Sequence, residues 1–321
     1  MKIAVVLGLL GTLCIAAAPL GTATELKGLR SLAASQGEQL WPGFGTAPFG
    51  FLILEKDREV LICRPSAPPA FKADGVDPAT GCPRFIGPRG KLPEAMLAAM
   101  PLFGPPSTIV MGPSPTDEER LPRWRSTVLH EHMHQWQSEL PGYYDRTKAL
   151  DLADGDESGM WMLEFPFPYA DPAVAASYSH AAAKLVAAVE ARGTPAFNGR
   201  LAEYLSARGK FATAAGERNW RYLDFELWQE GVARWTEIAL SRRSADPAMA
   251  ADADRHEQKM LDMLRTPNLP EHQRVIVYAY GMAEALLLDA CGPQWRAAYP
   301  AQLGLSALFD AAAARCAAMR A

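Results

Sequence analysis

Three of the six histidines in this 321-residue chain fall within five positions, in the run Thr127-Val-Leu-His130-Glu131-His132-Met133-His134-Gln-Trp-Gln137. His130, Glu131 and His134 form the pattern H-E-x-x-H. On a helix, positions i and i+4 share a face, so both imidazoles can reach one metal ion. Glu131 projects about 100° away, where its carboxylate can meet a water in the ion's open position rather than the ion itself. This chemistry is zinc-assisted hydrolysis: the ion draws the water's pKa toward neutrality and the glutamate takes the proton. His132 points roughly 200° from His130 and is expected to be structural. Without a metal, the same run is only a histidine-rich helical surface.

A catalytic zinc needs a third protein ligand beside its open position. The extended histidine motif would put another histidine six residues beyond His134, but that position is Leu140. A carboxylate is the natural substitute, and the best segment is Phe225-Glu226-Leu-Trp-Gln-Glu230-Gly-Val-Ala-Arg-Trp-Thr-Glu237. As a helix it lines up Glu226, Glu230, Ala233 and Glu237 on one stripe. Its apolar residues Leu227, Trp228, Val232 and Trp235 suit the interior. Gly231 and Ala233 are expected to let it approach the His130 helix closely.

His-Glu-x-x-His followed much later by Glu-Gly-x-Ala resembles the gluzincin metallopeptidases, in which that later glutamate is the third zinc ligand. The resemblance is confined to residues 127–137 and 225–237. It implies one Zn2+ per chain on His130, His134 and Glu230, Glu131 as general base, and a zincin-like helical body. It also leaves Glu226 or Glu237 to orient a zinc-bound imidazole, although ordinary helix-surface acids are the plainer expectation for both. The interval from His134 to Glu230 exceeds that of thermolysin-like enzymes. At the shorter interval this chain offers Asp154, with Asp151, Asp156, Glu157 and Glu164 nearby, as the alternative ligand source.

The oxyanion formed by water attack needs a donor besides zinc, and Tyr278, Tyr280, His256, His272 and Arg218 are candidates. Peptidases of this kind bind substrate along an edge strand just before the zinc helix. Ser107 to Met111 stands at that place, with an ordinary sheet strand as the alternative. Met160-Trp161-Met162 and Phe165 to Tyr169 are expected to pin a long loop to the core in preference to lining a pocket.

The elements that must position these residues read as follows. Phe49 to Leu54 and Glu59 to Cys63 form a hairpin about Lys56-Asp57-Arg58. Leu92 to Phe103 reads as a short helix and Ser107 to Gly112 as a strand. Beyond Pro115 helical periodicity dominates, with helices near 119–139, 177–192, 198–208, 219–243, 247–265, 270–290 and 304–320. Breakers such as Pro141-Gly142, Gly193-Thr194-Pro195, Asp246-Pro247 and Gly292-Pro293 separate them. The expected fold is α+β and helix-dominated: a small β-containing subdomain over 24–115, then a helical body over 116–321.

Residues 1–23 read as a signal peptide. Lys2 starts it, Ile3 to Ile15 is a short apolar run, and Gly21-Thr22-Ala23 fits a small-x-small cleavage site. That run is too short to span a bilayer comfortably, so no stable membrane anchor is expected after cleavage. Cys14 follows bulky Leu13, where lipoprotein signals carry a small residue. Four cysteines remain, and in an exported chain they suggest disulfides, preferably Cys63–Cys82 and Cys291–Cys316, with buried thiols as the alternative. Apolar residues at 49% and charged residues at 21% suit a soluble globular protein. A formal charge of −4 with no basic run excludes a nucleic-acid partner. The expectation is a periplasmic or secreted zinc peptidase acting on a peptide or protein. The alternative is a non-catalytic zinc-containing binding or scaffold protein.

Overall fold

The computed structural model describes residues 21–318, so the expected signal segment up to residue 20 lies outside the described residues. The first helix, Thr22–Leu32, contains the expected cleavage point after Ala23 within its first turn.

The apolar runs of the N-terminal half become a six-stranded sheet. Its strands are β1 (Phe51–Leu54), β2 (Arg58–Ile62), β3 (Lys72–Val76), β4 (Pro83–Pro88), β5 (Leu97–Met100) and β6 (Thr108–Met111), in the order β3-β4-β2-β1-β6-β5. β1 and β2 are the expected hairpin, with Phe51 opposite Ile62 and Leu54 opposite Glu59. β6 runs parallel to β1, and β5 pairs antiparallel with β6. Side chains alternate between two faces. Phe51, Ile53, Val60, Ile62, Ile109 and Met111 enter the main core with the helices. Leu52, Leu54, Leu61 and Val110 form a smaller core beneath Phe71, Phe85, Leu92 and Phe103. Burial on both faces is why the central strands read as unbroken apolar runs.

Two expectations fail here. Leu92 to Phe103 is not a helix, because Leu97–Met100 pairs with β6 instead. Pro93 and Pro101 bracket only about two helical turns, too short to stand alone, and the ladder satisfies the backbone that such a helix would leave exposed. Ser107 to Met111 is not an edge, because β6 lies between β1 and β5 with Thr108 through Met111 buried. The free edge on that side of the sheet is β5.

The helical body follows the breakers. Leu121–Ser138, the histidine helix, has Pro122 in its first turn, where a missing N–H costs nothing. Pro172–Glu190 and Pro247–Arg265 start in the same way behind Asp171 and Asp246, whose carboxylates accept N–H bonds from the first turn. Glu217–Glu226, a π-helical turn at Leu227–Gly231, and Val232–Arg242 run on as one glutamate helix. Ile276–Ala290 is buried almost all round. The result is a helix-dominated α+β fold. Both expected disulfides form, Cys63–Cys82 and Cys291–Cys316. Among the described residues no helix is long and apolar enough to cross a membrane.

Gly231 serves a different neighbour from the one expected. A Cβ on it would lie 2.4 Å from Gly281 Cα, so the close approach is to the Ile276–Ala290 helix rather than to the histidine helix. Conversely, a Cβ on Gly281 would lie 2.6 Å from Leu227 O and 2.7 Å from Gly231 Cα. Backbone meets backbone there, and no flexible side chain can yield. Gly281→Ala is therefore expected to lower stability by about 1–3 kcal/mol through overpacking. Thermal or denaturant unfolding of the metal-free protein would show it; an unchanged midpoint would mean that the two helices separate freely.

Candidate metal centre

The site is assembled from the histidine helix, the π-turn of the glutamate helix and strand β5. One helical turn apart, His130 and His134 turn their Nε2 atoms toward each other at 3.2 Å. Glu230 Oε2 completes a triangle, 3.3 Å from His130 Nε2 and 3.2 Å from His134 Nε2. Zinc with ligand bonds of about 2.05 Å in a tetrahedron needs its donors about 3.3 Å apart. The three edges match that spacing, so these residues fit a zinc-sized ion, and among the described residues no fourth His, Cys, Asp or Glu joins them. Among the described residues this is the group of His, Cys, Asp or Glu side chains able to hold a metal.

Each imidazole has an acceptor oxygen close to its other nitrogen. His130 Nδ1 lies 3.0 Å from Glu237 Oε2, a carboxylate with no solvent exposure. His134 Nδ1 lies 2.7 Å from Gln137 Oε1. The amide of Gln137 is oriented because its Nε2 donates to Gln229 O at 2.9 Å and to Tyr299 Oη at 2.7 Å. These acceptors favour the neutral tautomer with its proton on Nδ1, the form in which both Nε2 lone pairs point to the same place. Glu237 is in turn bound by Arg123 and by Arg234 at 2.7 Å. Burial would raise its pKa, but Arg234, Arg123 and His130 outweigh that and hold it well below the usual carboxylate range.

Glu226 and Glu237 are thus not surface acids: both are fully buried. An acid on an interior face of a helix reads like one on a surface until the partner helices are known. Glu226 pairs with Arg274 Nη2 at 2.5 Å. Burial pushes its pKa up, Arg274 opposing and the charge of Glu230 adding. Burial also raises Glu131, with His134 and His130 opposing. Glu131 Oε2 accepts the Ala99 N–H of β5 at 2.7 Å, and among the described residues Oε1 has no hydrogen-bond partner.

The remaining sequence candidates separate clearly. His132 turns inward, packed against Phe44 and Phe49, with Gln135 Oε1 at 3.0 Å and Phe44 O at 3.1 Å. Asp154 pairs with Arg218 at 2.7 Å, and Asp156 folds back on Ser158 and Trp161, so neither joins the triangle. Tyr280 is buried and packs against Tyr178 and Tyr204. His256 stands 3.8 Å from Glu237 Oε1, the oxygen that does not face His130. His272 belongs to the helical turn Leu269–His272. Tyr278 alone of these stands beside a donor imidazole, its ring centroid 5.9 Å from that of His130. Burial, then the charge of Glu230, pushes it up to about 12, so it keeps its proton. Gln137 and Arg274 were missed: the first has a signal in its i+3 spacing from His134, whereas nothing local marks the second.

The chain matches no protein-family model, and no curated protein or solved structure matches it either.

Two outcomes follow from this geometry. Burial lowers the His134 pKa, but the charge and hydrogen bond of Glu230, with Glu131 adding, outweigh burial and raise it to about 9. In the metal-free protein, the stability from this raised pKa is fully present below the ordinary imidazole range, about 6.5. It fades as pH rises through about 9. A metal must displace that proton, so apparent metal affinity is expected to rise about tenfold per pH unit up to that point. Titration calorimetry at several pH values would check it; a flat profile would mean that His134 is neutral throughout. Glu237→Gln is expected to weaken metal binding about 10–100-fold by loosening His130, as read by chelator competition.

Proposed function

We propose that this chain is an exported zinc-dependent peptidase that hydrolyses peptide bonds, with His130, His134 and Glu230 as metal ligands and Glu131 as general base. The observation that carries the reading is the donor triangle at tetrahedral spacing, with a free carboxylate oxygen of Glu131 beside it. Zinc bound there would supply a Lewis acid that acidifies a water and polarises a carbonyl.

The protein's own groups supply the rest. The Ala99 N–H fixes one oxygen of Glu131 and leaves Oε1 to accept the proton and pass it to the leaving amine. Arg274 Nη1 donates to Tyr278 Oη at 3.4 Å, so the phenol hydrogen is left to bond a developing oxyanion. At Ala99 the peptide groups turn away from β6, and by the two-residue period those of Leu97 do too. The Ala99 N–H is taken by Glu131, so an extended substrate would pair with β5 through the Ala99 carbonyl and the Leu97 peptide groups, the role expected earlier of β6.

The two disulfides are compatible with an oxidising, extracytoplasmic compartment. With the N-terminal pattern of Lys2, the apolar run and Gly21-Thr22-Ala23, they support export by a cleaved signal peptide.

The mature protein is expected to bind one zinc per chain and to cleave unstructured peptides, with products identified by mass spectrometry. Glu131→Gln should keep the metal and lose at least about 100-fold in kcat. Retained activity in that variant would remove Glu131 from the reaction. Stoichiometric zinc with no hydrolysis of any peptide by the unaltered protein would favour a zinc-containing scaffold.

A further inference from the structure

On the side of Glu230 away from the histidines, a single guanidinium meets four groups. Arg274 Nη2 lies 2.9 Å from Glu230 Oε1 and 2.5 Å from Glu226 Oε2. Its Nε donates to Met162 O at 3.0 Å, and Nη1 reaches Tyr278 Oη. Met162 belongs to the loop-rich insertion 151–172, and Tyr222 Oη donates to the same carbonyl at 2.9 Å. One side chain thus joins the third donor, a buried acid, the tyrosine beside His130 and the backbone of the insertion at Met162.

A carboxylate near a divalent ion can bind through one oxygen or two. Two-oxygen binding by Glu230 would use up a position that an attacking water requires. Here Oε2 faces both imidazoles while Oε1 is taken by a charge-assisted bond from Arg274. An ion at the triangle would take up the charge of Glu230 and leave a largely buried arginine short of a counter-charge. Glu226, fully buried one helical turn earlier, supplies it. A lysine presents one point charge and cannot span Glu226, Glu230 and Met162 O together.

We propose that Arg274 is a positioning residue: it keeps Glu230 a one-oxygen metal ligand and ties the insertion, through the Met162 carbonyl, to that ligand. This rests on the metal reading above, and the experiment separates the two. Chelator competition with Zn2+, visible spectra of the Co2+-loaded protein, and amide hydrogen exchange over 159–165 are compared for the unaltered chain, Arg274→Gln, Arg274→Lys and Arg218→Gln. Removing Arg274 alone strands Glu226, so Arg274→Gln combined with Glu226→Gln serves as the variant that keeps the buried charge balanced if the single change fails to fold.

In the Arg274 variants zinc is expected to bind about 10–100-fold more weakly. Their Co2+ bands should weaken as the second carboxylate oxygen raises the coordination number, and exchange over 159–165 should speed up. Arg274→Lys should not restore the unaltered values. Arg218→Gln frees the insertion at Asp154 without touching Glu230, and should leave affinity and spectrum unchanged. Unchanged affinity and Co2+ spectrum in the folded double variant would overturn the proposal while leaving the metal site standing. Failure of the unaltered chain to bind Zn2+ or Co2+ would overturn both.

Discussion

Buried negative charge governs this molecule. Glu131, Glu226 and Glu237 are buried, and Glu230 keeps 12% side-chain exposure beside the two imidazoles. A carboxylate removed from water costs several kcal/mol unless a positive group meets it. Arg123 and Arg234 neutralise Glu237, and Arg274 is divided between Glu226 and Glu230. Burial raises Glu131 and Glu226 toward their neutral forms, so the deficit of positive charge that remains lies at Glu230, held ionised in the donor triangle. A proton on His134 fills that deficit in part, which is why its pKa is raised. A divalent ion fills it better, because it meets all three donors at once.

The scaffold can be understood as the means of holding those charges in place without water. The π-turn at Leu227–Gly231 lies where Glu230 must face the histidines while Glu226 and Glu237 keep their own partners. The Gly231–Gly281 contact brings the Ile276–Ala290 helix close enough for Arg274 and Tyr278, at its start, to reach the same point. Trp41 extends the support from behind, donating to Thr236 Oγ1 at 3.0 Å and packing on Trp136 and Tyr299. These contacts fasten the histidine and glutamate helices to a common aromatic layer. Rigid support of this kind keeps donors at metal spacing before a metal arrives.

The sheet contributes one backbone group to the centre, and that group is placed with consequence. β5 is the outermost strand on its side and carries an N–H that binds Glu131. The strand that orients the carboxylate is thus also the edge of the sheet on that side. A long edge strand risks unwanted pairing; at four residues β5 is short, which limits that hazard.

What the sequence determined by itself was local. The one-turn spacing of His130 and His134, the outward step to Glu131, the β1–β2 hairpin, the helices behind their proline and aspartate caps, and both cysteine pairings all depend on neighbours in the chain. The Glu-Gly-x-Ala resemblance also pointed to Glu230, the acid that the structure brings to the histidines. What only tertiary structure decided depends on partners far along the chain. Leu97 to Met100 is a strand because β6 is there to pair with it, against its own helical preference. Glu226 and Glu237 are interior because Arg274 and Arg123 reach them from other elements, with Arg234 adding from Glu237's own helix, and an acid stripe looks the same in either setting. Gly231 faces Gly281, and Arg274 finds Glu230 across 44 residues of sequence. Periodicity reports which face of an element is apolar; it carries no information on which distant element will cover that face.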